Sequence, residues 1–327
     1  MDMAVAIGLF IVGLLLLIKG GDWFVDGATG IARRFHIPEI LIGATVVSIG
    51  TTLPEVMVSA TAAFEGSGGI AYGNAIGSII CNTSLIAALT VAIRPAEIDK
   101  KSLRIPVIFF FVAAAFYCGI AYITGYFSRA IGVVLLAIFV VYIALSAIQA
   151  RKQTVPQVGV EVEASEEVRV SPLWKEIVLL VVGAAFIAVG ARLLVDNGIK
   201  IATAIGVPDT VIALTFVALG TSLPELVTAI TSLVKGHGAL SLGNIIGANL
   251  FNLVLVSGVS TVVQPFDIPS GNTLFGINSS LVLDIPVMLA VMLILNVPAL
   301  IRGKLSRVQG ISLLAIYAAF CVFQFTM

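Results

Sequence analysis

The chain has 327 residues, 59% of them hydrophobic and 11% charged, and a formal charge of zero. Soluble domains carry roughly 25% charged residues, so most of this chain belongs in lipid and a polytopic membrane protein is implied. The neutral balance leaves no basic surface for nucleic acid, and three cysteines in apolar runs (Cys81, Cys118, Cys321) give neither a disulfide framework nor a thiolate metal cluster.

In chain order, hydropathy divides the sequence into ten helices near the ~20 residues a bilayer requires. The expected spans are 3–19, 40–64, 70–93, 104–124 and 128–149, then 173–193, 209–234, 239–263, 277–297 and 307–326. Residues 4–18 lack a basic flank and a small-residue cleavage site, so they are expected to be a retained first span, not a signal peptide. Between the fifth and sixth spans lies the only long polar stretch, 150–172, which includes Glu161, Glu163, Glu166 and Glu167 and is expected to be a solvated linker. With the N-terminus outside, 15 of the 18 Lys and Arg residues fall on the cytoplasmic side, and only Arg129, Arg192 and Lys200 lie outside. The positive-inside rule then places both termini outside and the linker in the cytoplasm.

Gly50-Thr51-Thr52-Leu53-Pro54-Glu55 recurs as Gly220-Thr221-Ser222-Leu223-Pro224-Glu225. Each copy is followed by a matching stripe, Gly73-Asn74 to Asn82 or Gly243-Asn244 to Asn252, at a constant offset of 170 residues. The same register pairs Asp26 with Asp196, Pro38 with Pro208, Thr45 with Thr215 and Gly66 with Gly236. Five helices per copy is an odd number, so the second copy enters the membrane from the opposite side. The expected fold is all-α, with ten transmembrane helices as two inverted five-helix repeats, an architecture of many secondary transporters.

Both glutamates lie within apolar stretches, with no membrane-embedded Lys or Arg evident to pair with them. A carboxylate there is costly and marks a functional site. Thr51 and Glu55 share a helix face. Pro54 removes an amide donor and Gly50 weakens the helix, so carbonyls near 47–50 are expected to be freed. In a membrane, a bound cation can satisfy them. Asn74, Ser78 and Asn82 step along one face of the next helix, as do Asn244, Ala248 and Asn252 in the second copy. Asn74 and Asn244 are read either as ion ligands or as pins between helices. The donor set is hard oxygen, which suits Na⁺ or Ca²⁺ and not zinc or copper. Two facing carboxylates repel at low dielectric and take up protons or cations. Competition of Na⁺ and Ca²⁺ for one such pair is enough to make an exchanger.

Other polar groups have structural readings. Thr45 and Thr215 are expected to bond back to their own helices. Asp26 and Asp196 are expected near span ends as interfacial ion-pair or capping groups, with Lys19 and Arg192 close in sequence. Cys81 is expected to pack, and His36 and His237 to lie in loops without forming a site.

The doubled motif resembles the two alpha repeats of the cation/calcium exchanger superfamily, most closely its prokaryotic sodium/calcium exchangers, which are antiporters. The resemblance spans essentially the whole chain. It implies a first repeat over 1–149 with its motif at 43–82, a cytoplasmic linker over 150–172, and a second repeat over 173–327 with its motif at 213–252. It further implies a mid-membrane diamond of Ca²⁺ and Na⁺ sites in which Glu55 and Glu225 are the shared carboxylates. Thr51 and Thr221 would be ligands, as would the carbonyls of Ser48 and Ala218, and Thr52, Ser222, Ser78, Asn82 and Asn252 would complete the lining.

The implied activity is exchange of Na⁺ for Ca²⁺ across the cell membrane by alternating access, with net charge moved in each cycle. The cations are cargo, and the resemblance implies no cofactor and no obligate protein partner. Two departures bear on ion choice. Ala248 stands where many relatives carry Ser, which removes an oxygen from one Na⁺ site. Asn252 stands where some archaeal and potassium-dependent relatives carry Asp, which argues against K⁺ co-transport. The alternatives are a proton-coupled or broad divalent cation exchanger and, from another class, a passive cation channel. No HExxH or nucleophile-elbow motif is present, so an enzyme is not expected.

Overall fold

The protein is described here by a computed structural model covering residues 3–152, 172–204, 220–269, 273–274 and 276–326. Ten helices follow in order: α1 (Met3–Arg34), α2 (Glu39–Phe64), α3 (Gly68–Ile93), α4 (Lys100–Ile123), α5 (Arg129–Lys152), α6 (Leu173–Ala204), α7 (Leu223–Val234), α8 (Gly238–Val263), α9 (Ser280–Arg302) and α10 (Arg307–Thr326). Among the described residues nine are long and apolar enough to cross a membrane, and α7 is a shorter apolar helix of 12 residues. The start of the expected span 209–234 and most of the expected linker, 153–171, lie outside the described residues.

The pattern of burial sorts the helices. In their most apolar windows 72% of α3 and 83% of α8 is buried, against 22% of α1, α5 and α6. The two helices carrying the asparagine stripes therefore form the centre. The outer helices turn side chains such as Leu15, Val140 and Val181 outward, as a lipid-facing surface requires.

α1 and α6 run well past the expected ends at residues 19 and 193. Asp22 and Asp26 lower the local hydropathy of α1, but the opposite face, with Gly20, Phe24, Val25, Gly27 and Ala28, is buried and continues the helix. A glycine seam joins the two helices. A Cβ on Gly13 would strike the Gly190 carbonyl and one on Gly20 the Gly183 carbonyl, and the reverse also holds, so they run antiparallel at close approach. α2 and α8 are equally close but parallel. Gly243 lies against Ile40, and Gly247 lies against Ala44 and Ser48.

Among the described residues three two-residue strand pairs supplement the helices, which the all-helical expectation did not include. β1 (Ala96–Glu97), β2 (Tyr126–Phe127), β3 (Phe266–Asp267), β4 (Thr273–Leu274), β5 (Ile277–Asn278) and β6 (Lys304–Leu305) pair antiparallel as β1 with β6, β2 with β3 and β4 with β5. Near the first ladder, Lys100 Nζ donates to the Ile301 carbonyl at 2.6 Å and Arg307 Nε to the Ala92 carbonyl at 2.9 Å. Each places a cation at a helix C-terminus, where the dipole favours it.

Asp26 does not pair with Lys19. Its carboxylate meets Lys235 Nζ at 2.7 Å, and Lys19 lies over the Trp23 ring. Arg192 and Asp196 do pair, at 3.7 Å. His237 Nδ1 lies 2.8 Å from Glu39 Oε1, tying the starts of α8 and α2.

Asp99 caps α4, accepting from the Lys101 and Ser102 amides at 3.1 Å each and from the Ser102 hydroxyl at 2.5 Å. Partial burial works against ionisation of this carboxyl, but the Ser102 hydroxyl and the two amides outweigh it and hold the group below its ordinary range. Asp99→Ala is expected to cost about 1 kcal/mol of stability at neutral pH, read as a lowered unfolding temperature in detergent. A depressed folded value means the contribution is present above the ordinary carboxyl range and fades as pH falls below about 3.9, so the two proteins should converge in acid.

Candidate cation site

The two copies of the motif take different local forms. In α2 the turn Gly43–Val47 is a π-turn, and regular α-helix resumes at Ser48 and runs through Pro54 to Phe64. The loosening expected at 47–50 therefore sits one turn earlier, starting at Gly43 on the face pressed against α8. In the second copy Gly220–Ser222 form a turn and α7 begins at Leu223 with Pro224 in its first turn. Proline suits that position because its missing amide has no intrahelical partner there. Glu55 is thus held mid-helix, whereas Glu225 sits at a helix start, where free amides and the helix dipole favour an anion.

Both glutamates are fully buried, at 0% exposure, and none of their four carboxylate oxygens has a hydrogen-bond partner. The two side chains lie close enough for their charges to interact, and the Thr51 hydroxyl lies beside Glu225. Around them the hydrogen bonds cross between the copies in matching fashion. Thr51 donates to Asn244 Oδ1 at 3.1 Å, and Thr221 donates to Asn74 Oδ1 at 3.2 Å. Asn74 Nδ2 also donates to Ser59 Oγ at 2.8 Å, and the Ser48 hydroxyl donates to the Asn244 carbonyl at 2.9 Å. Both asparagines are therefore pins between helices of opposite halves.

A second set of polar side chains named from sequence is buried without partners. It comprises the hydroxyls of Thr52 and Ser222 and the side-chain amides of Asn82 and Asn252. Asn82 and Asn252 each open a π-turn, Asn82–Ala87 in α3 and Asn252–Val256 in α8. The first packs on α7 and the second on α2, so each turn faces the glutamate helix of the other half. Such turns recur at functional sites because they disturb the regular ladder. Ser78 is buried on α3, and the matching Ala248 is buried on α8 without an oxygen. The Ser48 hydroxyl lies within hydrogen-bond reach of the Gly43 carbonyl at 2.7 Å and the Asn244 carbonyl at 2.9 Å, and its hydrogen is engaged there. Ala218 and Thr215 lie outside the described residues.

Two residues were missed from sequence. Thr228 and Ser232 are fully buried with unpartnered hydroxyls. They stand three and seven positions beyond Glu225 on α7, a helical spacing that could have found them. Thr45 bonds back to the Leu41 carbonyl at 2.6 Å, and Cys81 packs against the Tyr317 hydroxyl, as expected. The site is thus two carboxylates among neutral oxygens, and among the described residues no group of three or more His, Cys, Asp or Glu side chains gathers.

The sequence profile of the sodium/calcium exchanger protein family matches residues 5–148 and 175–326. The chain belongs to that family. The two matched segments flank the polar stretch between α5 and α6. This exchanger-family protein is similar to the putative antiporter CaxA of Alkalimonas amylolytica, at 36% identity over 328 aligned positions and 99% of each chain. It is similar to the sodium/calcium exchanger MaX1 of Methanosarcina acetivorans, at 31% identity and 97% of each chain. A solved structure of the sodium-calcium exchanger NCX_Mj, soaked with Na⁺ and Sr²⁺, superposes with a TM-score of 0.79 at 34% identity, covering 97% of this chain and 98% of that one. The family places the protein among transmembrane antiporters of sodium and calcium and not among enzymes.

Proposed function

We propose that this protein is a secondary active antiporter that exchanges Na⁺ for Ca²⁺ across the cell membrane by alternating access at the Glu55–Glu225 site. The observation that carries the reading is the four buried carboxylate oxygens without partners. An uncompensated buried carboxylate costs several kcal/mol, so the pair calls for cationic cargo. One Ca²⁺ neutralises both charges, and Na⁺ ions do the same while drawing on Thr51, Thr221, Thr52, Ser222, Ser78, Asn82 and Asn252, with the carbonyls of Ser48 and Ala218. The loss of an oxygen at Ala248 bears on the number of Na⁺ ions. A cycle that moves one net charge responds to membrane potential by about 2.3 kcal/mol per 100 mV.

The arrangement behind this reading is two inverted five-helix repeats. The antiparallel α1–α6 seam supports it, since the two helices hold equivalent places in the two halves. So do the crossed Thr–Asn bonds. The strand ladders support ten spans by parity. Pairing β1 with β6, and β2 with β3, puts each pair on one face of the membrane. The chain between them must then cross an even number of times, which supports α7 as part of a further crossing beside the long helices. The face bearing Lys100, Lys304 and Arg307 is the cytoplasmic one by the positive-inside rule, with both termini outside.

The test is ⁴⁵Ca²⁺ uptake into proteoliposomes loaded with Na⁺, compared with equal Na⁺ on both sides. Uptake that needs the Na⁺ gradient and is stimulated by an inside-positive potential is expected. Uptake driven by a proton gradient, or needing no gradient, would replace the reading with a proton-coupled exchanger or a channel.

A further inference from the structure

A cavity of about 420 Å³ lies between α3, α9 and α10, apart from the exchange site. One wall is the glycine face of α3, formed by Gly69, Gly73 and Gly77, with Phe320 of α10 opposite. A Cβ on Gly73 or Gly77 would meet nothing within 4 Å, so the space continues up to the helix backbone. The other end is polar and centres on Asp284, whose carboxylate accepts from Gln324 Nε2 at 2.7 Å. Ser280 and Tyr72 complete that end. The Tyr72 side chain is only 1% exposed, and its hydroxyl is near enough to Ser280 and Asp284 to interact with both.

The backbone at this end is also specialised. Ser280–Asp284 is a π-turn, and Pro286 follows it in the first turn of regular helix. Proline cannot donate back along the helix. The Tyr122 hydroxyl instead donates to the Leu281 carbonyl at 2.6 Å and holds the turn in place.

The dimensions decide the class of occupant. A dehydrated metal ion needs no more room than one water, about 30 Å³. This space is more than ten times larger and mostly apolar, within the range of small-molecule pockets, which run to roughly 300–1,000 Å³ with a few convergent polar groups. Its one charged lining group is a carboxylate, and among the described lining residues there is no Lys or Arg to receive a phosphate. That argues against a phospholipid headgroup. We propose that the cavity between α3, α9 and α10 binds an organic ammonium ion with an apolar body, its nitrogen at Asp284 and its body along the glycine face of α3.

The experiment is calorimetric titration of the purified full-length protein with hexyltrimethylammonium chloride, in nanodiscs of phosphatidylglycerol. Wild type and Glu55→Gln are expected to bind it saturably and alike, since Glu55 lies outside this cavity. Asp284→Asn, which removes the charge, and Gly73→Leu, which fills the space, are each expected to bind about tenfold more weakly, as loss of about 1.4 kcal/mol requires. Tetramethylammonium, which lacks the apolar body, is expected to bind more weakly than the hexyl compound. Gln324→Leu serves as a second polar-end variant if Asp284→Asn does not fold. Absence of saturable binding by wild type, or equal binding by wild type and the polar-end variant, overturns the proposal. Saturable binding by a wild type that shows no Na⁺-driven Ca²⁺ uptake would leave this site standing while the exchange reading failed.

Discussion

Glu55→Gln and Glu225→Gln are each expected to abolish Na⁺-driven Ca²⁺ uptake while leaving the protein folded. Both side chains are fully buried, and neither carboxylate has a hydrogen-bond partner to lose. Removing one charge therefore relieves repulsion in the protein alone and weakens the site only toward cations. Two unit charges about 4 Å apart at an effective dielectric of 20 interact by about 4 kcal/mol, and a divalent ion doubles the loss. Ca²⁺ affinity is expected to fall by at least about a thousandfold, since each 1.4 kcal/mol is tenfold. Calorimetric Ca²⁺ titration beside the uptake assay checks it. Unfolding temperatures at or above that of wild type are expected in the absence of Ca²⁺. Full Ca²⁺ affinity in either variant would remove that glutamate from the site.

Gly243→Val is expected to be the most damaging of the packing substitutions. A Cβ at Gly243 falls on the carbonyl and Cα of Ile40, which are backbone atoms unable to turn aside. The parallel α2–α8 contact must open, and the bonds from Thr51 and Ser48 to Asn244 open with it. Overpacking costs 1–3 kcal/mol or more, and the lost cross-helix bonds bring the expected total to about 3 kcal/mol. Gly119→Ala is the control. Its Cβ meets nothing within 4 Å, and replacing a mid-helix glycine there is expected to raise stability by up to about 1 kcal/mol. Opposite shifts of unfolding temperature in the two variants would confirm the contrast, and equal shifts would remove the close seam as the cause.

Much of the fold was legible because membrane helices announce themselves by length and hydropathy. The doubled motif also placed both glutamates, whose burial is confirmed at 0% exposure. What was not legible depended on partners far apart in the chain. The reach of α1 beyond residue 19 follows from α6 covering Gly20 and Gly27, and local hydropathy around Asp22 and Asp26 cannot show that. The roles of Asn74 and Asn244 stayed open in sequence because an amide can either ligate or pin, and the crossed Thr–Asn bonds, visible only in the fold, show the pinning. Proline predicted a loosened helix, but the π-turn settled where α8 presses on Gly43, and Thr228 and Ser232 were passed over because the first repeat carries no hydroxyl at either matching position.

The crossed bonds also bear on how the chain is made. Thr51 finds an acceptor in α8, Asn74 receives a donor from Thr221, and β1 waits for β6. A membrane chain is inserted from its N-terminus, so the first half spends part of its synthesis with its polar groups and strand edges unanswered in lipid, where each costs free energy. The first five helices then present an unfinished surface, which Thr221 before α7, Asn244 of α8 and β6 after α9 complete. A chain cut short before β6 is therefore expected to be less stable to proteolysis in the membrane than the whole chain, which a pulse-chase comparison of the two would check.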